Sequence, residues 1–137
     1  MGMLIAKSKE NLISAQLLIE NKYYASSVHC SYYSSVQLMI HLLITKFNFT
    51  QEKLENEAIK EGKGSHVFAI NQITKHLKSK QEILKSVDFY RNIGKLKTKR
   101  KHADYLDTLI DKPYSDEALL QANEINGILT TAFNIIL

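Results

Sequence analysis

The segment with the most groups that could do chemistry is KLKTKRKHADY, which runs from Lys95 to Tyr105. It places five basic residues within seven positions and then ends on His, Asp and Tyr. A histidine exchanges a proton near neutral pH, and an arginine can hold a phosphate through two parallel N–H donors. The segment therefore predicts an acid–base site or a phosphate-binding strip, and the alternative is the solvated end of a basic helix.

Three side chains of this segment are candidates for catalysis: His102, Arg100 and Lys97. If the segment is helical, Arg100 and His102 lie about 200° apart around the axis, so they are poor partners within one chain. Arg100 and Asp104, in contrast, stand at i and i+4 and can form an ion pair. That pair could equally stabilise the fold while the surrounding lysines are solvated.

The remaining histidines do not predict a metal site. His29 and His41 are twelve residues apart, and His66 and His76 are ten apart, so neither pair has the i, i+4 spacing of helical ligands. No carboxylate accompanies them at a useful spacing in the sequence. Cys30 is the single cysteine and is interpreted as a small helix residue, not as a nucleophile. We expect no metal and no cofactor.

Length and composition are typical of one globular domain over residues 1–137, with 45% hydrophobic and 23% charged residues. No run of consecutive apolar residues is long enough for a membrane span, and the N-terminal apolar run is too short for a signal-peptide core. We therefore expect a cytoplasmic protein that has no membrane association.

Charge is distributed unevenly along the chain, although the formal net charge is only +4. Residues 60–101 hold twelve basic and three acidic side chains, whereas residues 102–137 hold one basic and six acidic. The central block could bind a polyanion such as RNA or a nucleotide. It could also serve only to keep lysine-rich helices in solution, so charge alone leaves both interpretations open.

Helices are predicted throughout, because one proline and five glycines supply few turns. Apolar spacings of three and four predict helices over about 3–20, 23–47 and 66–78, one from 81 through the basic segment, and one from Ser115 onward after Pro113. The polar residues 48–65 are expected to connect the two halves. The predicted fold is all-α, an up-and-down antiparallel bundle of four to five helices.

Each predicted helix has an expected buried face. Ser65 and Ser115 are the expected N-caps of the third and last helices. The second helix also carries small residues that let a neighbour approach closely: Ser26, Ser27, Ser31, Ser34 and Ser35. The stripe of the long helix is Leu84, Val87, Tyr90, Ile93, Leu96, Arg100 and Ala103. The stripe of the last helix is Ala118, Ala122, Ile125, Leu129, Ala132 and Ile136.

Three sequence pieces occur in a distinctive order. They are the turn Asn21–Tyr24 before an Ala/Ser-rich helix with the pair Tyr32 and Tyr33, then Ser65-His66, then Arg100-x-x-Ala103-Asp104-Tyr105. Together they resemble the HEPN superfamily, most nearly its small stand-alone bacterial and archaeal members. The resemblance covers nearly the whole chain.

The resemblance implies a helical bundle that dimerises and has one of two roles. Many HEPN proteins are ribonucleases or toxins, in which an Arg and a His four to six residues later meet at a dimer groove and cut RNA without metal. Others bind nucleotide or RNA as partners of a minimal nucleotidyltransferase. Here neither arginine has its histidine, and Lys97 stands where the arginine before His102 is expected. In some HEPN toxins the motif tyrosine receives AMP from the partner, but those members have His-x-Tyr where this chain has His102-Ala-Asp-Tyr105.

We predict a nucleotide- or RNA-associated HEPN protein with a degenerate ribonuclease motif, paired with a minimal nucleotidyltransferase as in toxin–antitoxin systems. The alternatives are a metal-independent ribonuclease toxin that uses His102 with Lys97 or Arg100, and a helical dimer that binds only protein. A homodimer is also expected because serine-rich, aromatic-edged helices leave an apolar stripe to cover. The predicted phosphate- or nucleotide-binding residues are Lys97, Arg100, Lys101, Tyr105 and His66. The predicted structural motif is Arg100, Ala103, Asp104, Tyr105, Tyr32 and Tyr33.

Overall fold

A computed structural model describes residues 3–136 of the chain. Over this range the protein is all-helical and contains no strand, as predicted. None of the helices in this range has the combination of length and apolar character that crossing a membrane requires. The six helices are α1 (Met3–Glu20), α2 (Tyr24–Lys46), α3 (Gln51–Lys60), α4 (Ser65–Ser79), α5 (Ile83–Tyr105) and α6 (Lys112–Ala132).

Helix α3 is the element that the sequence did not predict, since its residues were assigned to a polar connection. Its start is defined by Thr50, whose side chain accepts a hydrogen bond from the backbone N–H of Lys53. Only Leu54 and Ala58 are buried, one turn apart, and the rest of the helix is polar or exposed. A buried face of two residues is too narrow to stand out as a periodic pattern.

Two predicted N-caps are wrong. The N-cap of α4 is Gly64, so Ser65 is already the first helical residue. The N-cap of α6 is Asp111, whose carboxylate accepts from the backbone N–H of Tyr114 at 3.0 Å. Pro113 therefore lies in the first turn of α6, where its missing N–H costs nothing, instead of ending the connection before it.

Helix α2 occupies the centre of the bundle and packs against α1, α4, α5 and α6. Contacts of His29 with Asp104, and of Tyr32 with Arg100, show that α2 and α5 run antiparallel. By the same kind of contact, α1 is antiparallel to α2 and α6 is antiparallel to α5. Helix α4 runs in the same direction as α2, because α3 carries the chain back between them.

The predicted stripe of α5 is correct only in its second half. Steps of three residues fall about 60° short of a full turn, so the predicted row drifts around the helix. Its first members are instead exposed, by 82%, 53% and 56% respectively: Leu84, Val87 and Tyr90. The inward positions are Ser86, Phe89, Ile93, Leu96 and Arg100. In α6 the predicted stripe is buried as far as Ala132, but Ile136 lies beyond the helix and is 93% exposed.

The serine-rich face of α2 is covered inside the chain. Ser34 accepts from the side-chain amide of Asn126 in α6 at 2.9 Å, and the Ser8 hydroxyl of α1 donates to the Ser34 carbonyl at 2.8 Å. The Ser27 hydroxyl donates to the carbonyl of Ala15. Small side chains therefore do allow close helix packing, as predicted, but α1 and α6 are the neighbours. This face does not provide the uncovered surface from which a homodimer was argued.

Candidate functional site

Arg100 lies at the centre of a polar and aromatic cluster between α2 and α5. It is 8% exposed, and its guanidinium carbon is 5.0 Å from the ring centroid of Tyr32. The rings of Tyr33 and Tyr105 each lie at 5.7 Å. Three electron-rich rings around one cation replace part of the hydration that the guanidinium loses on burial.

Hydrogen bonding of the Arg100 guanidinium is incomplete. Its Nη1 donates to the Tyr105 hydroxyl at 3.4 Å and lies 3.6 Å from Oδ2 of Asp104. Its Nε is buried and has no hydrogen-bond partner. Charge-assisted N–H···O bonds are usually about 2.7–2.9 Å long, and a guanidinium has five N–H donors to satisfy. The cluster thus contains a buried cation that lacks strong acceptors.

His66 borders this cluster from α4. Its Nδ1 shares a hydrogen bond with the Tyr32 hydroxyl at 3.0 Å, and its ring centroid is 5.6 Å from that of Tyr33. Burial, and then the charges of Arg100 and Lys97, lower the pKa of His66. The imidazole is therefore neutral at pH 7. Burial also raises the pKa of Tyr32 to about 12, which keeps its hydroxyl protonated.

Lys97 adds a second positive charge on the same side of α5. It is half-buried, and burial followed by the charges of Lys101 and Arg100 lowers its pKa. Lys101 itself is exposed. Because neighbouring cations disfavour the charged forms of both Lys97 and His66, the local potential is positive. An anion placed there would relieve this repulsion.

The cluster also contains an ion pair that the sequence did not predict. Nδ1 of His29 lies 2.8 Å from Oδ2 of Asp104, the same oxygen that faces Arg100. The His29 ring lies 4.6 Å from that of Tyr33, centroid to centroid. The two partners are 75 residues apart, so only the packing register of α2 on α5 brings them together. No local spacing in the sequence indicates this contact.

His102 lies on a different face of α5 from Arg100. Its Nδ1 is 3.4 Å from the hydroxyl of Tyr114 in α6, and its side chain is exposed. Lys99 shares this face, 3.3 Å from Glu117. The separation expected from helical geometry is present, and the structure does not bring His102 to Arg100 within one chain.

Neither a metal centre nor a reactive thiol is indicated in the cluster. Among residues 3–136, no three His, Cys, Asp or Glu side chains are grouped so that they could hold a metal ion. Cys30 lies beside Asp104, and burial together with that carboxylate raises the pKa of its thiol. A protonated thiol is a poor nucleophile.

Comparison of the chain with protein-family models, with curated protein sequences and with solved structures finds no match. The HEPN resemblance therefore stays a prediction.

Proposed function

We propose that this chain is a HEPN-like protein that binds a phosphate-bearing ligand, a nucleotide or RNA, at the cluster around Arg100. In this proposal it acts mainly as a binding partner of a minimal nucleotidyltransferase, in the manner of a toxin–antitoxin pair. The bundle then corresponds to the up-and-down arrangement of that superfamily, and α3 is an additional short helix. The ligand-binding side chains are Arg100, Lys97, His66 and Tyr105, with Lys101 at the rim.

The observation that carries the proposal is the unsatisfied guanidinium of Arg100. A buried charge is stable only when it is paired and hydrogen-bonded, yet this one has two long contacts and a bare Nε. Phosphate oxygens are strong acceptors that match the planar donors of arginine. The carboxylate of Asp104 is engaged more closely by His29, at 2.8 Å, than by Arg100.

The proposal includes a homodimer whose seam lies beside the cluster. Tyr105, Leu106 and Leu109, at the end of α5 and just after it, are 74%, 51% and 94% exposed. A second copy that covers them would bury apolar surface and bring its own cluster close. A monomeric mass in solution at micromolar concentration contradicts this part of the proposal.

Binding of a short labelled RNA at two salt concentrations tests the proposed function. Lys97→Gln should weaken binding and lower its salt dependence, because one phosphate contact is lost. Lys99→Gln is the matched control, since Lys99 lies two residues away on the face that contacts α6. Equal effects of the two variants, or no salt-sensitive binding by the unaltered chain, overturn the proposal.

A metal-independent ribonuclease is the second candidate, favoured by the two imidazoles in the cluster. His29, held by Asp104, and His66, held by Tyr32, could exchange protons with RNA while Arg100 holds the phosphate. Cleavage of RNA in EDTA that is lost in His66→Gln or His29→Gln supports this function. Loss in His102→Ala alone restores the originally predicted catalytic residue, which would then act across a dimer.

A further inference from the structure

A groove between α4 and α5 leads toward the cluster around Arg100. Its larger hollow has a volume of about 600 Å³. A smaller hollow of about 170 Å³ continues it and ends at Lys97. Asn71 and Tyr90 line both hollows. The larger hollow is further lined by Thr74, Lys75, Lys78, Ser86, Val87 and Arg91.

The lining of this groove combines cations with an exposed aromatic ring. Lys75, Lys78 and Arg91 line the larger hollow, and no carboxylate lines either one. The nearest acidic group is that of Asp88, which pairs with Arg91 at 2.9 Å on the surface and offsets part of that charge. Tyr90 is 56% exposed and is therefore free to stack. Positive charge along a groove with accessible aromatic faces is the pattern that binds single-stranded nucleic acid.

Gly94 makes the passage between the two hollows open. It lines the smaller hollow in the middle of α5, and a Cβ placed there meets no atom within 4 Å. A glycine in a helix interior costs about 0.5–1 kcal/mol relative to alanine, and no turn or close packing requires one here. Its effect is to leave the helix surface bare where a chain running from Tyr90 to Lys97 would pass.

We propose that single-stranded RNA is the ligand class of this protein, and that its strand runs along the α4–α5 groove from Lys78 to Lys97 with its terminal phosphate at Arg100. This inference rests on the proposed function, because Arg100 anchors one end of the strand. From Val87 to Arg100 the helix rises about 20 Å, which is room for several nucleotides. A mononucleotide leaves most of this groove empty.

The experiment measures binding of a labelled dinucleotide and of a labelled oligouridylate of about ten nucleotides to the intact chain. The longer RNA should bind at least about tenfold more tightly. Tyr90→Ala should weaken only the longer RNA, by about tenfold, while Tyr90→Phe keeps the ring and the affinity. Gly94→Gln should weaken only the longer RNA because its side chain fills the passage, and the fold should tolerate it because Gly94 is helical and exposed.

Charge is tested with paired double variants. Lys75→Gln with Lys78→Gln should lower the slope of log affinity against log salt by about 1.4, since each phosphate contact on a single strand contributes about 0.7. Lys7→Gln with Lys9→Gln is the matched control on exposed positions of α1, a helix that packs on α2 and α6. An equal change in both double variants shows diffuse attraction and overturns the inference.

Other results separate this inference from the proposed function. If both RNAs bind equally and the groove variants have no effect, the groove is wrong while phosphate binding at Arg100 stands. If neither RNA binds, both proposals fail. If Tyr90→Ala changes only the self-association of the chain, a second copy occupies the groove and the inference is again overturned.

Discussion

Along α5, the half from Ile83 to Tyr90 exposes apolar side chains, whereas the half from Arg91 to Tyr105 buries a charged one. Leu84 is 82% exposed, while Arg100 is 8% exposed. Both halves depart from the ordinary distribution of residues, in which large apolar groups are covered and arginines are solvated. Each departure lowers stability unless a partner compensates for it. One helix therefore presents two surfaces for binding, one short of apolar contact and one short of anionic acceptors.

The largest effect is expected at Phe89, the buried ring in the half that otherwise exposes its apolar residues. Phe89→Ala should lower the free energy of unfolding by about 3–5 kcal/mol, because it opens a cavity in the core. Val87→Ala, two residues away and exposed, should change it by less than about 0.5 kcal/mol. Urea unfolding followed by circular dichroism measures both. Similar values for the two variants would show that this half of α5 is not packed as described.

Arg100 should come next. Arg100→Ala should cost about 2–4 kcal/mol of unfolding free energy, because it removes the cation between three tyrosine rings and leaves Asp104 with His29 alone. Arg91→Ala, whose ion pair with Asp88 is exposed, is the matched control and should cost less than about 0.5 kcal/mol. A loss near zero for Arg100→Ala would mean that the burial of this guanidinium is not compensated by its surroundings.

The pH dependence of stability sharpens the comparison at the same end of α5. The pKa of His66 is lower in the folded chain than in the unfolded one, through burial and the charges of Arg100 and Lys97. The unfolded state therefore binds more protons as pH falls below the ordinary histidine value, and stability should fall from about pH 7.5 to about pH 5.5. His66→Gln should reduce this fall. The lowered pKa values of His41 and His76 account for the part that remains. An unchanged pH profile in His66→Gln contradicts the environment described.

The smallest effect separates the two halves at Gly94. Gly94→Ala should stabilise the chain by about 0.5–1 kcal/mol, because alanine has the better helix propensity and its methyl group meets open space. The measurement is the midpoint of urea unfolding. A destabilised variant would show that the passage along α5 is narrower than the structure has it.

The sequence predicted most of the fold and only part of the candidate site. Helices α1 and α2 match their predicted ranges within about one residue, because a row such as Val28, Tyr32, Val36 and Met39 keeps the helical period over many turns. The short α3 and the inward turn of Phe89 were missed, since two buried residues or a row of three-residue steps give no clear period.

Within the site, the pairing of Arg100 with Asp104 could be predicted from a spacing of four, and the structure has it. The contact of His29 with Asp104 could not, because it depends on how two helices are aligned and not on either helix alone. The position of His66 beside Tyr32 has the same origin. Sequence reasoning thus located the helix that carries the site but not the residues that other helices bring to it.

The central position of α2 has a consequence for how this protein can change over evolutionary time. One face of this helix fills the core, its serines fit against α1 and α6, and Tyr32 and Tyr33 enclose Arg100. A substitution that is neutral for one of these roles is seldom neutral for the other two. In descendants of this chain α2 should diverge most slowly, and the polar surface of α3 most quickly.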